Sequence, residues 1–449
     1  MKKRWLGTSL TVLLSLSMLA GCGGTAPGAS ESPEPSNTPA ANETPKQDKP
    51  FAGQSLSIVT ANHPWGEAIV PLIPEFEEAT GMKVKVESYF EDQLTQKLTV
   101  QFTASSATPD VFMYRPLQEG RLFFKNGWVS PLDEYVNRNA DYDFDDISKA
   151  ALGTTTVAGK IAGIPIITEQ EVLYYRKDLL EKANIQVPKT MDELVAAAKQ
   201  LHDPKNEMYG FVSRGQRSPL VTQLSSFIYS EGGDFMDGEK ATINSPAAIK
   251  AMTTYGTLLK DYGPPGVLNM SWPQAFGIFA QGKVAFLTDA NSLYTNLTDP
   301  EKSTVSEHVG FAAFPAGDAG SKPYNVTAWG LAINANSKNK EAAWAFIEWA
   351  TGKEIVLKQQ QKGNPGARGS VWNDPEATKS YPPQLVEVTK EAMAGGVDHD
   401  RPVVISVGEA RDAVGEIVMK IMTGEQDIQA AADKANETLQ AIIDKDFKK

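Results

Sequence analysis

Ser55-Leu-Ser-Ile-Val-Thr60, then Glu67-Ala-Ile-Val-Pro-Leu-Ile-Pro-Glu-Phe-Glu-Glu-Ala-Thr-Gly81, then Met82-Lys-Val-Lys-Val-Glu-Ser-Tyr89 decide the fold class. The first stretch alternates small polar with branched apolar residues, the pattern of a strand. In the second, Ile69, Leu72, Ile73 and Phe76 recur at helical spacing, and Gly81 supplies the stop. Pro71 and Pro74 conflict with an uninterrupted helix, so a start near Pro71 is expected. The third stretch is again a strand. Strand, helix and strand within 35 residues make a βαβ unit and predict a parallel sheet.

Moving outward, the alternation continues. A helix is expected over 91–103, a strand over 110–114 and a short helix over 174–183. Thr190-Met-Asp-Glu193 reads as a capping box opening a helix to Leu201. Ser245-Pro246 caps another that ends near Tyr262-Gly263. The segment 338–351 carries Trp344, Phe346, Ile347 and Trp349 at helical spacing, and a last helix from Glu425 has Ile428, Ala431, Ala435, Leu439 and Ile442 on one face. No fixed-period repeat is visible, which argues against a solenoid. The fold class is α/β, in two lobes.

Toward the N-terminus, Lys2, Lys3 and Arg4 precede an apolar run over 10–19 and then Leu19-Ala20-Gly21-Cys22. A basic start, a short apolar core and small residues before the cut form an export signal over 1–21, too short for a comfortable membrane span. Cys22 is the single cysteine of the 449-residue chain, so no intrachain disulfide is possible. Residues 23–50 hold Pro, Ser, Ala, Thr and Glu without one aromatic or branched aliphatic side chain. Such a segment cannot offset its ordering entropy by burial and reads as a tether spanning roughly 30 Å. Loss of the three basic residues in the signal takes the net charge from −12 to −15. An acidic body argues against nucleic acid, whose binding needs Lys and Arg on phosphate.

Further blocks carry a resemblance. Gly159-Lys-Ile-Ala-Gly-Ile-Pro165, Leu173-Tyr-Tyr-Arg-Lys-Asp-Leu179 and Pro188-Lys-Thr-Met-Asp-Glu-Leu194 resemble a run in extracellular solute-binding proteins of family 1, the maltose-binding-like class. Phe76-Glu-Glu-Ala-Thr-Gly81, Asn126-Gly-Trp-Val-Ser-Pro-Leu-Asp133, Ser271-Trp with Phe279-Ala-Gln-Gly-Lys-Val-Ala285, and Trp329-Gly-Leu-Ala-Ile333 agree with it in order. The run Gly363-Asn-Pro-Gly-Ala-Arg368-Gly-Ser-Val-Trp-Asn-Asp-Pro375 looks most like the sugar- and polyol-binding branch. The Leu-Ala-Gly-Cys ending resembles a bacterial lipobox, in which the cysteine thiol carries a diacylglycerol.

The resemblance implies a two-lobed periplasmic-binding-protein fold, type II-like, with a hinge, several crossovers and the ligand in the interlobe cleft. It places crossings near 165–171, 304–309 and 334–339. Lobe one would be 51–166 plus 307–337, and lobe two 167–306 plus 338–449. It also implies a carbohydrate-binding, non-enzymatic, monomeric lipoprotein of an importer driven by an ATP-binding cassette. The protein would be held outside the cell membrane by lipid on Cys22 and hand its solute to the permease. No cofactor or metal is expected.

A sugar-binding site wants an aromatic platform for apolar CH faces and fixed donors and acceptors for hydroxyls. Trp344, Trp349 and Trp128 read as packing. Trp329 stands at the entry to a strand, where ligands of open α/β sheets gather. Trp272 is either a second platform or a staple for the helix after it. Trp65, with Asn62 and His63, follows the first strand. Glu169, where the resemblance places the hinge and a ligand carboxylate, is either that carboxylate or an exposed loop acid, and Asp289, after Val284-Ala-Phe-Leu287, is a similar candidate. Arg368, in its Gly-rich loop, either forks onto vicinal hydroxyls or holds a salt bridge. Tyr114 and Arg115, at a strand end, complete the set. Four histidines occur without a paired metal spacing, and no G-x-S-x-G elbow or phosphate loop is present. The competing readings are a secreted glycosidase with two acids far apart in sequence, and a receptor for a non-sugar solute.

Overall fold

The computed structural model describes residues 49–448; the signal segment, Cys22 and all but the end of the expected tether lie outside them. Strand β1 is Ser55–Ala61 and β2 is Lys83–Tyr89, paired in parallel from Ser55 opposite Lys83. The intervening helix is broken into Pro64–Ile69, a 3-10 turn Val70–Leu72, and Ile73–Thr80. Pro71 and Pro74 each fall in the first turn of their piece, where the missing N–H costs no hydrogen bond. Gly81 ends the second helix at φ 76°, a left-handed turn suited to glycine. Helix Glu91–Thr103 then leads to β3, Val111–Tyr114, which lies parallel on the other side of β1.

The central element is β4, Ile164–Arg176, thirteen residues of which only Glu169 is not fully buried. The expected helix over 174–183 is therefore corrected: Tyr174 and Tyr175 are extended, and only Lys177–Ala183 is helical. The Val-Leu-Tyr-Tyr run has strand character, and strands flank it on both sides, which outweighs the local helical spacing. Beyond β4 come β5 (Tyr209–Val212), β6 (Val284–Ala290), β7 (Val309–Ala312) and β8 (Asn325–Ile333). The sheet runs β2-β1-β3-β8-β4-β6-β5, with β7 also on β4. β8 is antiparallel to β3 and to residues 164–170 of β4, whereas β6 and β7 pair antiparallel with its other end, 171–176. One strand thus belongs to two sheets.

Two lobes follow from the packing. Ile164, Ile166 and Ile167 of β4 share a core with β1, β3 and β8, while Val172, Leu173 and Tyr174 belong to cores built on β5, β6 and β7. Two expected boundaries shift. Val309, Phe311 and Phe314 pack in the second lobe, so residues 304–309 do not cross. Trp344, Phe346 and Ile347 of helix Lys340–Ala350 pack in the first, Phe346 edge-on to Phe76 at 5.4 Å, so 334–339 does not cross either. The later passages lie between Phe314 and Trp329, and between Ala367 and Trp372. Helical spacing reports that a face is buried; it does not report which lobe buries it. Among the described residues no helix is long and apolar enough to cross a membrane.

Candidate functional site

Parallel strands point their C-terminal ends the same way, and in open α/β sheets such ends border the ligand crevice. In the first lobe β1, β2 and β3 end at Asn62-His63, Phe90 and Arg115, and antiparallel β8 brings Trp329 beside them through Gly330 opposite Tyr114. In the second, the parallel strands β5 and β6 end at Ser213-Arg214 and at Asp289-Ala290. The middle of β4 lies between the two edges, Glu169 opposite Val326 of β8 and Glu171 opposite Ala290 of β6.

Glu169 is half-buried and accepts a 2.7 Å hydrogen bond from Ser292 Oγ. Burial pushes its carboxyl upward; the Ser292 bond and Arg214 oppose this, and the neighbouring charges of Asp289 and Asp400 reinforce it. Asp289 is fully buried, with Arg214 Nε at 3.0 Å and Nη2 at 2.6 Å, Gln223 Nε2 at 2.8 Å and the Ala290 N–H at 2.8 Å. Burial opposes the charge on Arg214, yet the fork on Asp289 outweighs it and holds the guanidinium ionised. Asp289 therefore fixes Arg214 at the edge of the cleft, with its own oxygens already committed. At the crossing itself, Gln170, Asn291, Asn325 and Thr389 form a buried amide network, with Asn291 Nδ2 at 2.6 Å from Gln170 Oε1 and Gln170 Nε2 at 2.8 Å from Asn325 Oδ1.

Across the cleft, Trp329 is 5 % exposed, with His63 at a ring distance of 5.8 Å and the Arg115 guanidinium 5.8 Å from its centroid. His63 caps the helix Pro64–Ile69, its Nδ1 accepting from the Trp65 N–H at 3.1 Å, and burial lowers its pKa to about 4. The imidazole is neutral at pH 7, as an acceptor must be. Arg115 is held by Glu119, Glu91 and Thr95 at 2.5–3.0 Å. Asn62 is exposed, its N–H bonded to Tyr89 O. Trp272 opens helix Trp272–Ala280 with 39 % of its surface exposed, and its loop is tied to the Arg214 turn by Gly215 N–H to Met270 O at 2.9 Å.

Three expected contacts are corrected. Trp65 is 1 % exposed and packs in the first core, and Tyr114 is equally buried, its ring lying against Gly120 and Gly163. Arg368 is 2 % exposed, and its guanidinium is used up on Thr351 O, Tyr142 O, Asp143 O and Asp146, at 2.7–3.3 Å. The salt-bridge reading holds for it: Arg368 ties the third crossing to the first lobe.

Arg214, Ser292, Gln118 and the pair Asp400-Arg401 escaped the sequence reading. Arg214 stands two residues past β5, at the same kind of strand end that singled out Arg115, so that signal was there. Asp400-Arg401 lies in an irregular stretch without periodicity and gave none. Arg401 forks onto buried Asp400 at 2.6 and 2.5 Å and reaches Gln118 Oε1 of the first lobe at 3.2 Å, joining the lobes. Burial opposes the charge on Asp400, but Arg401 and Arg411 outweigh it and hold the pKa near 2. Among the described residues no three His, Cys, Asp or Glu side chains converge as a metal site. The groups at the cleft are fixed donors and acceptors on the facing walls of two lobes, an arrangement suited to a polar solute.

Two sheets sharing one strand, with a charged cleft where their strand ends meet, define a two-lobed solute-binding protein. Residues 60–356 match the model of the bacterial extracellular solute-binding proteins, and the chain belongs to that family. It is similar to a mannitol-binding protein of Pseudomonas aeruginosa, 27 % identical over 88 % of this chain and 94 % of the relative. An erythritol/L-threitol-binding protein of Mycolicibacterium smegmatis is 28 % identical over 72 % of this chain and 70 % of the relative. Among solved structures, an ABC transporter solute-binding protein from Agrobacterium radiobacter in complex with ribitol superposes with a TM-score of 0.74. It is 32 % identical, covering 88 % of this chain and 100 % of that one.

Proposed function

We propose that this protein is the receptor of an ATP-binding-cassette importer and captures a carbohydrate, specifically a sugar alcohol, between its lobes. The observation that carries the proposal is the unequal fate of aromatic and charged groups at the cleft. Of the aromatic candidates, Trp65, Tyr114 and Trp329 are at most 5 % exposed and Trp272, 39 % exposed on one rim, is the single open indole among them, whereas Glu169, Arg214 and Arg401 stand at the meeting edges. A pyranose ring offers a flat CH face and asks for an open indole; an acyclic polyol has a hydroxyl on every carbon and asks for fixed polar groups. Relatives named for mannitol and erythritol, and a neighbour holding ribitol, support the same reading. The ligand contacts would be Glu169, Arg214, Arg401, Asn62, His63, Arg115 and Trp272, with Asp289 and Asp400 positioning the two arginines and Trp329 forming the floor.

The mechanism is capture with closure and no covalent chemistry. A solute that touches both lobes only when they are closed shifts the population toward that state, and the permease reads the closed spacing. Lipid on Cys22 would hold the monomeric body outside the cell membrane; a Cys22→Ser protein that still partitions fully into membrane would overturn that. Thermal shift against ribitol, D-mannitol, erythritol, glucose and maltose tests the ligand class. A ligand at 100 times its Kd adds about 2.7 kcal/mol. Stabilisation by maltose or glucose alone would overturn the polyol reading. Ligand recovered as cleaved product rather than intact would overturn the receptor reading in favour of a glycosidase.

A further inference from the structure

Beyond the ligand cleft, a second crevice separates the lobes. It consists of two adjoining cavities of about 180 and 340 Å³ that share Arg121, His399 and Val403 in their walls. The smaller begins at Pro116 and Leu117, next to Arg115 and beside the Gln118–Arg401 contact between the lobes.

Arg121 opens helix Arg121–Lys125 of the first lobe, half-buried, with no hydrogen bond or ion pair to any described residue. A cation withdrawn from water without a partner is costly and calls for a counter-charge. The opposite wall supplies one. His399 of the second lobe lies between two carboxylates, Nδ1 at 3.0 Å from Asp398 Oδ1 and Nε2 at 3.0 Å from Asp234 Oδ1. Burial opposes a charge on this ring, yet the two acids outweigh it and raise its pKa to about 9. The imidazolium and two carboxylates leave one net negative charge, and exposed Glu239 in the same wall adds to it. Arg121 brings one positive charge to the facing wall. Walls this acidic disfavour a free anion as its partner. The lobes already touch on this flank through Thr154 Oγ1 to Asp398 O at 3.0 Å and Lys125 Nζ to Asp446 O at 3.2 Å.

We propose that Arg121 is an electrostatic latch, pairing with the Asp398–His399–Asp234 group across the crevice as the cleft narrows and so favouring the closed lobe arrangement without touching the solute. The probe for the solute, D-mannitol, rests on the function proposed above; the ligand-free interlobe distances do not.

The full chain carrying Cys22→Ser is spin-labelled at cysteines replacing exposed Glu134 and Lys434, one per lobe, and interlobe distances are measured by pulsed electron resonance. Arg121→Gln is expected to move the ligand-free distribution to longer distances and to raise the Kd for D-mannitol about three- to tenfold. Arg121→Lys should retain most of the wild-type behaviour. The Arg121→Gln and Asp398→Asn effects should be non-additive, and high salt should shrink the difference from wild type. Unchanged distances in Arg121→Gln, or effects of the two substitutions that simply add, would overturn the latch. A wild-type protein that binds no polyol would overturn the proposed function, while the distances still decide the latch.

Discussion

Glu169 stands alone in β4 as the residue that reaches solvent, and its carboxyl has one hydroxyl partner, Ser292, where Asp289 has four donors. That difference separates a group with capacity left for a ligand from a group already spent. Glu169→Gln keeps the shape but removes an ionic acceptor, so binding of a polyol should weaken by about 1.5–3 kcal/mol, read by calorimetry, with a much smaller loss for the matching deoxy compound. Arg368→Gln should act in the opposite manner. It removes the buried cation from Asp146, which keeps only its Ser370 bonds, and takes the guanidinium donors from the Thr351, Tyr142 and Asp143 carbonyls; it should lower unfolding free energy in urea by about 3 kcal/mol, with ligand Kd unchanged. His399 sets a pH dependence. Its folded pKa lies near 9 and its unfolded value near 6.5, so the stabilisation is complete below pH 6.5 and is lost as pH rises through 9. Asp234 and Asp398 are partly exposed and screened by water, so the loss is about 1–3 kcal/mol. Urea titrations at pH 6 and pH 10 should show it in wild type and not in His399→Gln; equal slopes in both would refute it.

Local rules of the chain placed most elements. The Thr190 capping box forms as read, Thr190 Oγ1 accepting from the Glu193 N–H at 3.2 Å and Glu193 Oε2 from the Thr190 N–H at 3.3 Å. Thr190→Ala should cost about 1 kcal/mol in thermal or urea unfolding and leave ligand binding untouched, because Thr190 caps helix Met191–Leu201 and pairs with Ala316, neither of which belongs to the cleft. Helices Glu91–Thr103 and Pro246–Tyr262 and the β1–β2 unit were legible for the same reason: caps, stops and periodicity act within a few residues. What stayed illegible is set by distant neighbours. Tyr174 and Tyr175 fit a helix or a strand locally, and only β6 and β7 on either side of β4 decide between them. Trp65 and Trp272 both follow polar loops, yet one is 1 % and the other 39 % exposed, because a core covers the first and solvent borders the second. For Arg368 the sequence leaves vicinal hydroxyls or a salt bridge open, because its partners Tyr142 and Asp143 are more than two hundred residues away in the chain.

At the scale of the whole molecule, separate cores joined by a few extended passages make relative motion of the lobes cheap. The first core ends on β4 at Ile167 and the next begins at Val172, so the strand between them is anchored by hydrogen bonds, among them the Gln170–Asn291 pair, rather than by a shared apolar cluster. Rotation about such a hinge repacks little buried surface, and the free energy separating open from closed forms is then small enough for one bound solute to decide it. Polar contacts bridge the lobes: Arg401 to Gln118, Thr154 to Asp398 and Lys125 to Asp446. Polar contacts can be exchanged for water at low net cost, as opening requires. Small-angle scattering should therefore give a smaller radius of gyration with saturating ligand than without. The difference should disappear when a disulfide between cysteines introduced on the two lobes locks the closed form. An unchanged radius in the unlocked protein, with calorimetry confirming saturation and the oxidised, locked form measurably more compact than the ligand-free one, would mean that the lobes do not close on the solute. The capture mechanism would then be wrong even if the ligand class were right.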